Sequence, residues 1–257
     1  MKIYVCVKHV PDTAARISLK DDTSYEDAVA IKFVVNPYDE YGLEEAVELA
    51  KAKDGEVIIV TIGKEAAVAS IRAGLAMGAH RGIHVQTDQQ FLDSEIVSQA
   101  LKKAIDQDGK ADLIFTGKQS VDSEGLQTQY RLAAEMNMAV LNGVVALSID
   151  GDKAIVEREI GEGSREVLEM DLPCVIGATK GLNTPRYPKL PDIMKAKKKE
   201  IKKIDLSELG IDLSGSQLLL KKLEEAPSRS AAKMLSGTVP EMASEFLRIM
   251  KEEEKVL

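Results

Sequence analysis

DLIFTGKQSVDSEGLQTQYRLAAEM, residues 112–136, joins a short apolar run to a polar, glycine-bounded loop and then to a helical pattern. The run Asp112–Thr116 reads as a strand, and its unbroken apolar centre suits a strand covered on both faces, as parallel sheets require. Leu126–Met136 reads as the helix that follows. A strand feeding a helix through a polar loop is half of the alternation that builds a parallel sheet under helices.

The same alternation extends upstream. Ile3–Val7, Glu56–Ile62 and Gly82–Val85 read as strands. Between them lie helices over Pro37–Lys53, Ala66–Met77 and Ser94–Ile105. The first gathers Leu43, Ala46, Val47 and Ala50 on one face, and the third gathers Ile96, Val97, Ala100, Leu101 and Ala104. Gly55, Gly78 and Gly109 follow as stop signals. Ile17–Leu19 and Ile31–Val35 suggest a hairpin inserted after the first strand. Downstream the pattern changes to consecutive strands, Gly143–Ile149, Ala154–Ile160, Glu166–Met170 and Cys174–Ala178, with an Asp-Gly turn at Asp150-Gly151. Beyond Lys180 the chain is Pro-rich, then basic, then irregular through Pro227–Ser236, and it ends in a charged amphipathic helix over Pro240–Lys255. The expected fold is α/β: an open, mostly parallel nucleotide-binding sheet flanked by helices, with an antiparallel extension and a C-terminal arm. Its expected parts are a nucleotide-binding domain over 1–180, a recognition loop with a basic segment over 181–203, and an arm over 204–257. That arm has too few apolar positions to close a core, so a second chain is its expected support.

Composition narrows the function. A net charge of -8 and 4% aromatics without Trp argue against nucleic acid as a partner. No run of 18 apolar residues exists, and the N-terminus MKIYVCVKHV lacks a signal-peptide pattern, so neither membrane insertion nor secretion is expected. The two cysteines, Cys6 and Cys174, lie in apolar runs without metal-ligand spacing and suit a reducing cytoplasm. His9, His80 and His84 have no carboxylate or nucleophile at telling spacing and read as structural, and no Ser/His/Asp set can be drawn. The pattern is that of a carrier or binding subunit whose redox chemistry belongs to a cofactor.

Three segments can carry binding. The loop Gly117, Lys118, Gln119, Ser120, Val121, Asp122, Ser123, Glu124, Gly125, Leu126, Gln127 and Thr128 lies where open α/β sheets hold ligands, outside a strand's carboxyl end and before a helix N-terminus. It matches neither GxxxxGK[ST] nor GxGxxG, and the competing reading is that Asp122, Ser123 and a turn at Gly125 cap a helix. Asn36, Pro37, Tyr38 and Asp39 open the first helix, with Asn at the N-cap and Pro in the first turn; near them the strand ends Cys6 and Ile62 could face an adenine. In GLNTPRYPKLPDIMKAKKKEIKK, residues 181–203, Leu190 is either an exposed anchor for a partner's apolar pocket or a residue tucked inward beside solvated lysines.

NTPRYPKLPDIMKAKKKEI closely resembles the recognition segment of the electron-transfer flavoprotein beta subunit family. NPYDEYGLEEAVELA, ALAMGAHRGIHV and GKQSVDSEGLQT resemble that family's earlier blocks in the same order, and Val156–Gly163 through Leu172–Ile176 is similar to its signature region. The resemblance implies a heterodimer in which FAD, held mainly by an alpha subunit, takes electrons from acyl-CoA or related dehydrogenases and delivers them to a membrane quinone oxidoreductase. It implies a beta pocket for AMP made from Cys6, Asn36 to Asp39, Ile62 and Gly117 to Thr128, with Leu190 as partner anchor and Lys195 and Lys198 tuning docking. In electron-bifurcating members the pocket holds a second FAD and NADH is the donor. Their phosphate loop reads D-G-D-T-A-Q-V-G-P, where this chain has the bulkier DSEGLQTQY at 122–130, so AMP is the expected ligand. A stand-alone nucleotide-binding signalling protein is the other alternative, and it explains the chain after Lys180 least well.

Overall fold

The computed structural model describes residues 1–15, 17–24, 31–89, 91–216, 218, 220–225 and 231–256. They divide into two compact units, 1–223 and 224–257. The first holds a nine-stranded sheet. Its strands in chain order are β1 (Lys2–Cys6), β4 (Glu56–Gly63), β5 (Arg81–Gln86), β6 (Leu113–Gly117), β7 (Ala139–Asp150), β8 (Lys153–Gly161), β9 (Ser164–Asp171), β10 (Cys174–Ala178) and β11 (Ile201–Asp205). Across the sheet they run β11-β5-β4-β1-β6-β10-β7-β8-β9. The first seven in that order pair in parallel, while β8 and β9 are antiparallel additions. The expected mostly parallel α/β sheet with an antiparallel extension is what forms.

Side-chain alternation along the strands sorts the core into two layers. Ile3, Val5, Ile59, Leu113, Phe115 and Ile176 point to one face, under α1 (Pro37–Lys53) and α2 (Val68–Met77). Tyr4, Cys6, Ile58, Val60, Ile83 and Ile114 point to the other, under α3 (Ser94–Asp108) and α4 (Thr128–Met136). The helices between β1 and β5 therefore cover one face, and those between β5 and β7 cover the other. The chain reverses direction across the sheet between β1 and β6. That is the topological switch point of an open α/β sheet, where ligands bind outside the carboxyl ends of the strands.

Several segments differ from expectation for local reasons. The inserted hairpin is β2 (His9–Pro11) against β3 (Phe33–Val35); its first arm is not Ile17–Leu19, where only Leu19 makes a bridge. β7 starts at Ala139 rather than Gly143, because its first half pairs in parallel with β10 and only its second half joins β8. Gly143, at φ +77°, is the bulge between these halves, a conformation that favours glycine. α4 starts at Thr128, two residues late, because Leu126 has a left-handed φ of +55° that no helical residue can adopt. Ile201–Asp205, expected within a basic segment and its tail, is the edge strand β11, followed by the buried Leu206 and Leu209. Leu190 opens a short helix, α5 (Leu190–Ala196), where an extended loop was expected. In the second unit, α6 (Val239–Arg248) continues into a wider turn over Ile249–Glu253. Residues 226–230, at the start of the expected irregular stretch, lie outside the described residues.

Candidate functional site

The carboxyl ends of β1 and β6 are tied together by one buried carboxylate. Asp39, in the first turn of α1, accepts the backbone N–H of Lys8 at 2.7 Å on Oδ2 and that of Gly117 at 2.9 Å on Oδ1. Asn36 Nδ2 adds a third donor to Oδ1 at 2.8 Å. Gly117 is required here: a Cβ would lie 2.3 Å from Asp39 Oδ1 and 2.8 Å from Tyr38 Cβ. Burial pushes the Asp39 carboxyl up to about 7, against the pull of these three donors.

Asn36 holds the N-cap position of α1, and Pro37 occupies the first turn as expected, but the Asn36 side chain does not cap the helix. It donates to Gln119 O at 2.9 Å and accepts the Val121 N–H at 3.1 Å, pinning the loop that leaves β6. Lys8 secures the same loop from the end of β1. Its ammonium lies 2.8 Å from Asp122 and within 3.4 Å of the Ser120 and Ser123 hydroxyls. Composition gave no reason to single Lys8 out; the available signal is its position just past the first strand.

The loop does not cap α4 through Asp122 or Ser123. The N-cap residue is Gln127, and its side chain makes no capping hydrogen bond. The first N–H groups of a helix carry a positive partial charge that suits an anion. Glu124 and Leu126, with φ of +50° and +55°, carry the left-handed conformations of the loop, and Gly125 does not. Each such non-glycine residue costs on the order of 1–3 kcal/mol, a strain typical of ligand-binding loops.

Beside this loop, Cys6, Thr116, Gly177 and Asn142 stand in neighbouring strands on the face toward α3 and α4. Ile62 lies on the same face, one strand over and further along. Thr116 Oγ1 and Asn142 Oδ1 are buried without a hydrogen-bond partner among the described residues. A buried polar atom of this kind calls for a further hydrogen-bonding partner, a water or a ligand group. Cys6 is inert: burial pushes its thiol well above the ordinary range. Cys6 and Ile62 thus lie on one sheet face near the strand end from which the 117–128 loop leaves, while Asn36 and Asp39, from the opposite helix layer, act on that loop over the carboxyl edge of the sheet.

Leu190, Lys195 and Lys198 are elsewhere. Leu190 is 72% exposed at the start of α5, which packs on α2, and Lys195 and Lys198 are exposed at and just beyond its end. Tyr187, Ile193 and Met194 are exposed beside Leu190. The three histidines make local bonds: His9 Nδ1 to Ser70 Oγ at 2.8 Å, His80 Nδ1 accepting the Val57 N–H at 2.9 Å, and His84 Nε2 donating to Gly63 O at 3.0 Å. Among the described residues no group of three or more His, Cys, Asp or Glu side chains could hold a metal ion, and no helix is long and apolar enough to cross a membrane.

The sequence model of the electron transfer flavoprotein domain matches residues 28–209. The chain is 34% identical over 261 aligned residues to electron transfer flavoprotein subunit beta of Bacillus subtilis, a match that spans both chains completely. It is 41% identical over 240 residues to the mitochondrial subunit beta of Arabidopsis thaliana, covering 92% of this chain and 94% of that one. With the Homo sapiens subunit beta it shares 38% identity over 242 residues, 93% of this chain and 94% of the relative. An α/β sheet with its switch point between β1 and β6, matched along its length to these subunits, places the chain in the electron transfer flavoprotein beta subunit family.

Proposed function

We propose that this beta subunit pairs with an alpha subunit that carries FAD, holds AMP in its own crevice, and docks acyl-CoA or related dehydrogenases through Leu190, so that electrons pass on to a membrane quinone oxidoreductase. FAD supplies the redox chemistry when bound. The residues of this chain bind, brace and present.

One observation carries the nucleotide reading: the loop pinned by Lys8, Asn36 and Asp39 lies at the switch point, with the N-terminus of α4 behind it. A phosphate takes backbone N–H groups at such a helix start, and the Lys8 ammonium offsets the negative charge of Asp122 beside it. Cys6 and Ile62 offer an apolar floor to a base, with the Thr116 hydroxyl at its polar end. The docking reading is supported by the exposed apolar side chains on α5, a short helix flanked by exposed lysines. Two unpaired buried thiols, Cys6 and Cys174, suit the reducing cytoplasm as its compartment.

Nucleotide extraction from the purified heterodimer tests the pocket. One FAD and one AMP per heterodimer are expected, whereas two FAD would assign the crevice to a bifurcating flavoprotein. On the same preparation, Leu190→Ala should raise KM for a dehydrogenase by about tenfold, the loss of one apolar anchor, and leave flavin content unchanged. Unaltered transfer kinetics would remove Leu190 from the docking site.

A further inference from the structure

The segment that displays Leu190 is tied down on both sides. On its N-terminal side, Asn183 Nδ2 donates to Tyr41 O at 2.9 Å and to Glu45 Oε2 at 3.0 Å. Arg186 then closes on the buried carboxylate of Glu44: its Nε and backbone N–H both reach Oε2, at 2.7 and 3.1 Å, and its Nη2 reaches Oε1 at 2.6 Å. The same guanidinium also pairs with Glu48. On the C-terminal side, Arg72 of α2 donates to the carbonyls of Ala196 and Lys199, at 2.7 and 2.6 Å, where α5 ends. Lys199 returns the contact, its ammonium bonding Leu75 O and Ala79 O at 2.9 and 2.6 Å, at the end of α2. Apart from the exposed Glu48, these side chains are buried or half-buried, yet the residues between them, Tyr187, Leu190, Ile193 and Met194, present apolar surface outward.

Ordering a segment at the moment of binding subtracts from affinity, and a segment ordered beforehand avoids that loss. An Arg fork on a carboxylate fixes direction as well as distance, which Lys cannot reproduce. We propose that Arg186 with Glu44, and Arg72 at the other end, are positioning residues of the docking segment: they hold it in its binding conformation before a dehydrogenase arrives. This rests on the docking reading given above. The clamps act on association and leave the flavin step alone, since none of their groups belongs to the nucleotide crevice.

The test uses the intact heterodimer and a reconstituted acyl-CoA dehydrogenase, with steady-state kinetics and amide hydrogen exchange on each variant. Arg186→Gln should raise KM for the dehydrogenase about tenfold, the effect of freeing two or three side chains and their backbone, while kcat and flavin content stay within twofold. Exchange should accelerate over residues 187–198 and remain unchanged in β1, β4 and β6. Because Arg186→Gln leaves Glu44 buried and could impair folding, Arg72→Met provides the second variant. It removes the Nη1 donor that bonds both the Ala196 and Lys199 carbonyls, and should give the same pattern, starting from the α5 end. If either folded variant exchanges faster over 187–198 with KM unaltered while Leu190→Ala raises it, the positioning role is overturned and docking stands. Unchanged exchange in both variants also overturns it. If Leu190→Ala itself leaves KM unaltered, the docking reading fails, and the clamps then hold a segment with no part in docking.

Discussion

Asp39 places three N–H donors on two oxygens inside the protein, and two effects compete over its charge. The donors and its first-turn position in α1 favour the carboxylate, while burial favours the acid; burial wins and the carboxyl titrates at about 7. Its folded pKa thus lies above the unfolded value of about 3.9, so between about pH 4 and 7 the folded state holds the extra proton. Stability from this group is therefore greatest at the acid end of the window and declines as pH rises through it. Asp39→Asn has no proton to lose. The advantage of wild type over Asp39→Asn, measured by urea midpoints, should shrink from pH 5 to pH 8. An advantage that grows over that range would mean the three donors outweigh burial. The role of Asp39 could not be read from NPYDE alone. That pattern announces a capped helix, and it does not say that the acid in the first turn reaches two other strands' ends. Lys8 was illegible for the same reason, since its partners Ser120, Asp122 and Ser123 are more than a hundred residues away.

At the scale of elements, the amino ends of the strands are fastened as firmly as the carboxyl ends. Asp108, the last residue of α3, accepts two bonds at 2.7 Å from Arg81 of β5, one at 2.8 Å from the Tyr4 hydroxyl of β1, and an ion pair from Lys2 at 3.0 Å. Burial would raise its carboxyl, but the bonds from Arg81, Tyr4 and Lys2 outweigh burial and hold it well below the usual carboxylate range. A depressed folded pKa means stability that is complete above about pH 4 and lost as pH falls further. Asp108→Asn should cost about 1–3 kcal/mol at pH 7, because Arg81 keeps Glu56 but loses its more buried partner. That difference should narrow toward pH 2 in acid-unfolding curves, and a constant gap would contradict it. Elements of this layer were the legible ones. β1, β4, β6 and β10 are covered on both faces and show as apolar runs, bounded by Lys2 and Lys8 at β1 and by a Gly or Pro at the others. β11 was not legible because an edge strand has one partner: of IKKID only Ile204 is fully buried, and its lysines read as a solvated run. α4 was placed two residues early because a helical apolar period cannot report that Leu126 turns left-handed.

The whole molecule joins a self-sufficient sheet to a tail with a different character. α6 begins with Pro240 in its first turn and with Glu241 accepting the Thr238 N–H at 2.7 Å, so it is well formed locally. Yet none of its residues is buried, and Val239, Phe246 and Leu247 are 75%, 51% and 49% exposed. A helix gains most of its stability in a protein from packing its apolar face, which the expected second chain would supply to this arm. The alpha subunit is the partner that the heterodimer reading supplies. A chain ending at Leu223 should therefore keep its circular dichroism spectrum and unfold within roughly 2–4 °C of the full chain, the shift that 1 kcal/mol produces at this size. Co-expressed with the alpha subunit, it should be recovered with much less of it than the full chain, as measured by size-exclusion chromatography. Loss of the sheet on truncation would make the tail part of the fold. Full retention of the alpha subunit would move the stable interface onto residues 1–223. Either result would separate the two surfaces differently from the expectation that the C-terminal arm holds the permanent partner while α5 meets the transient one.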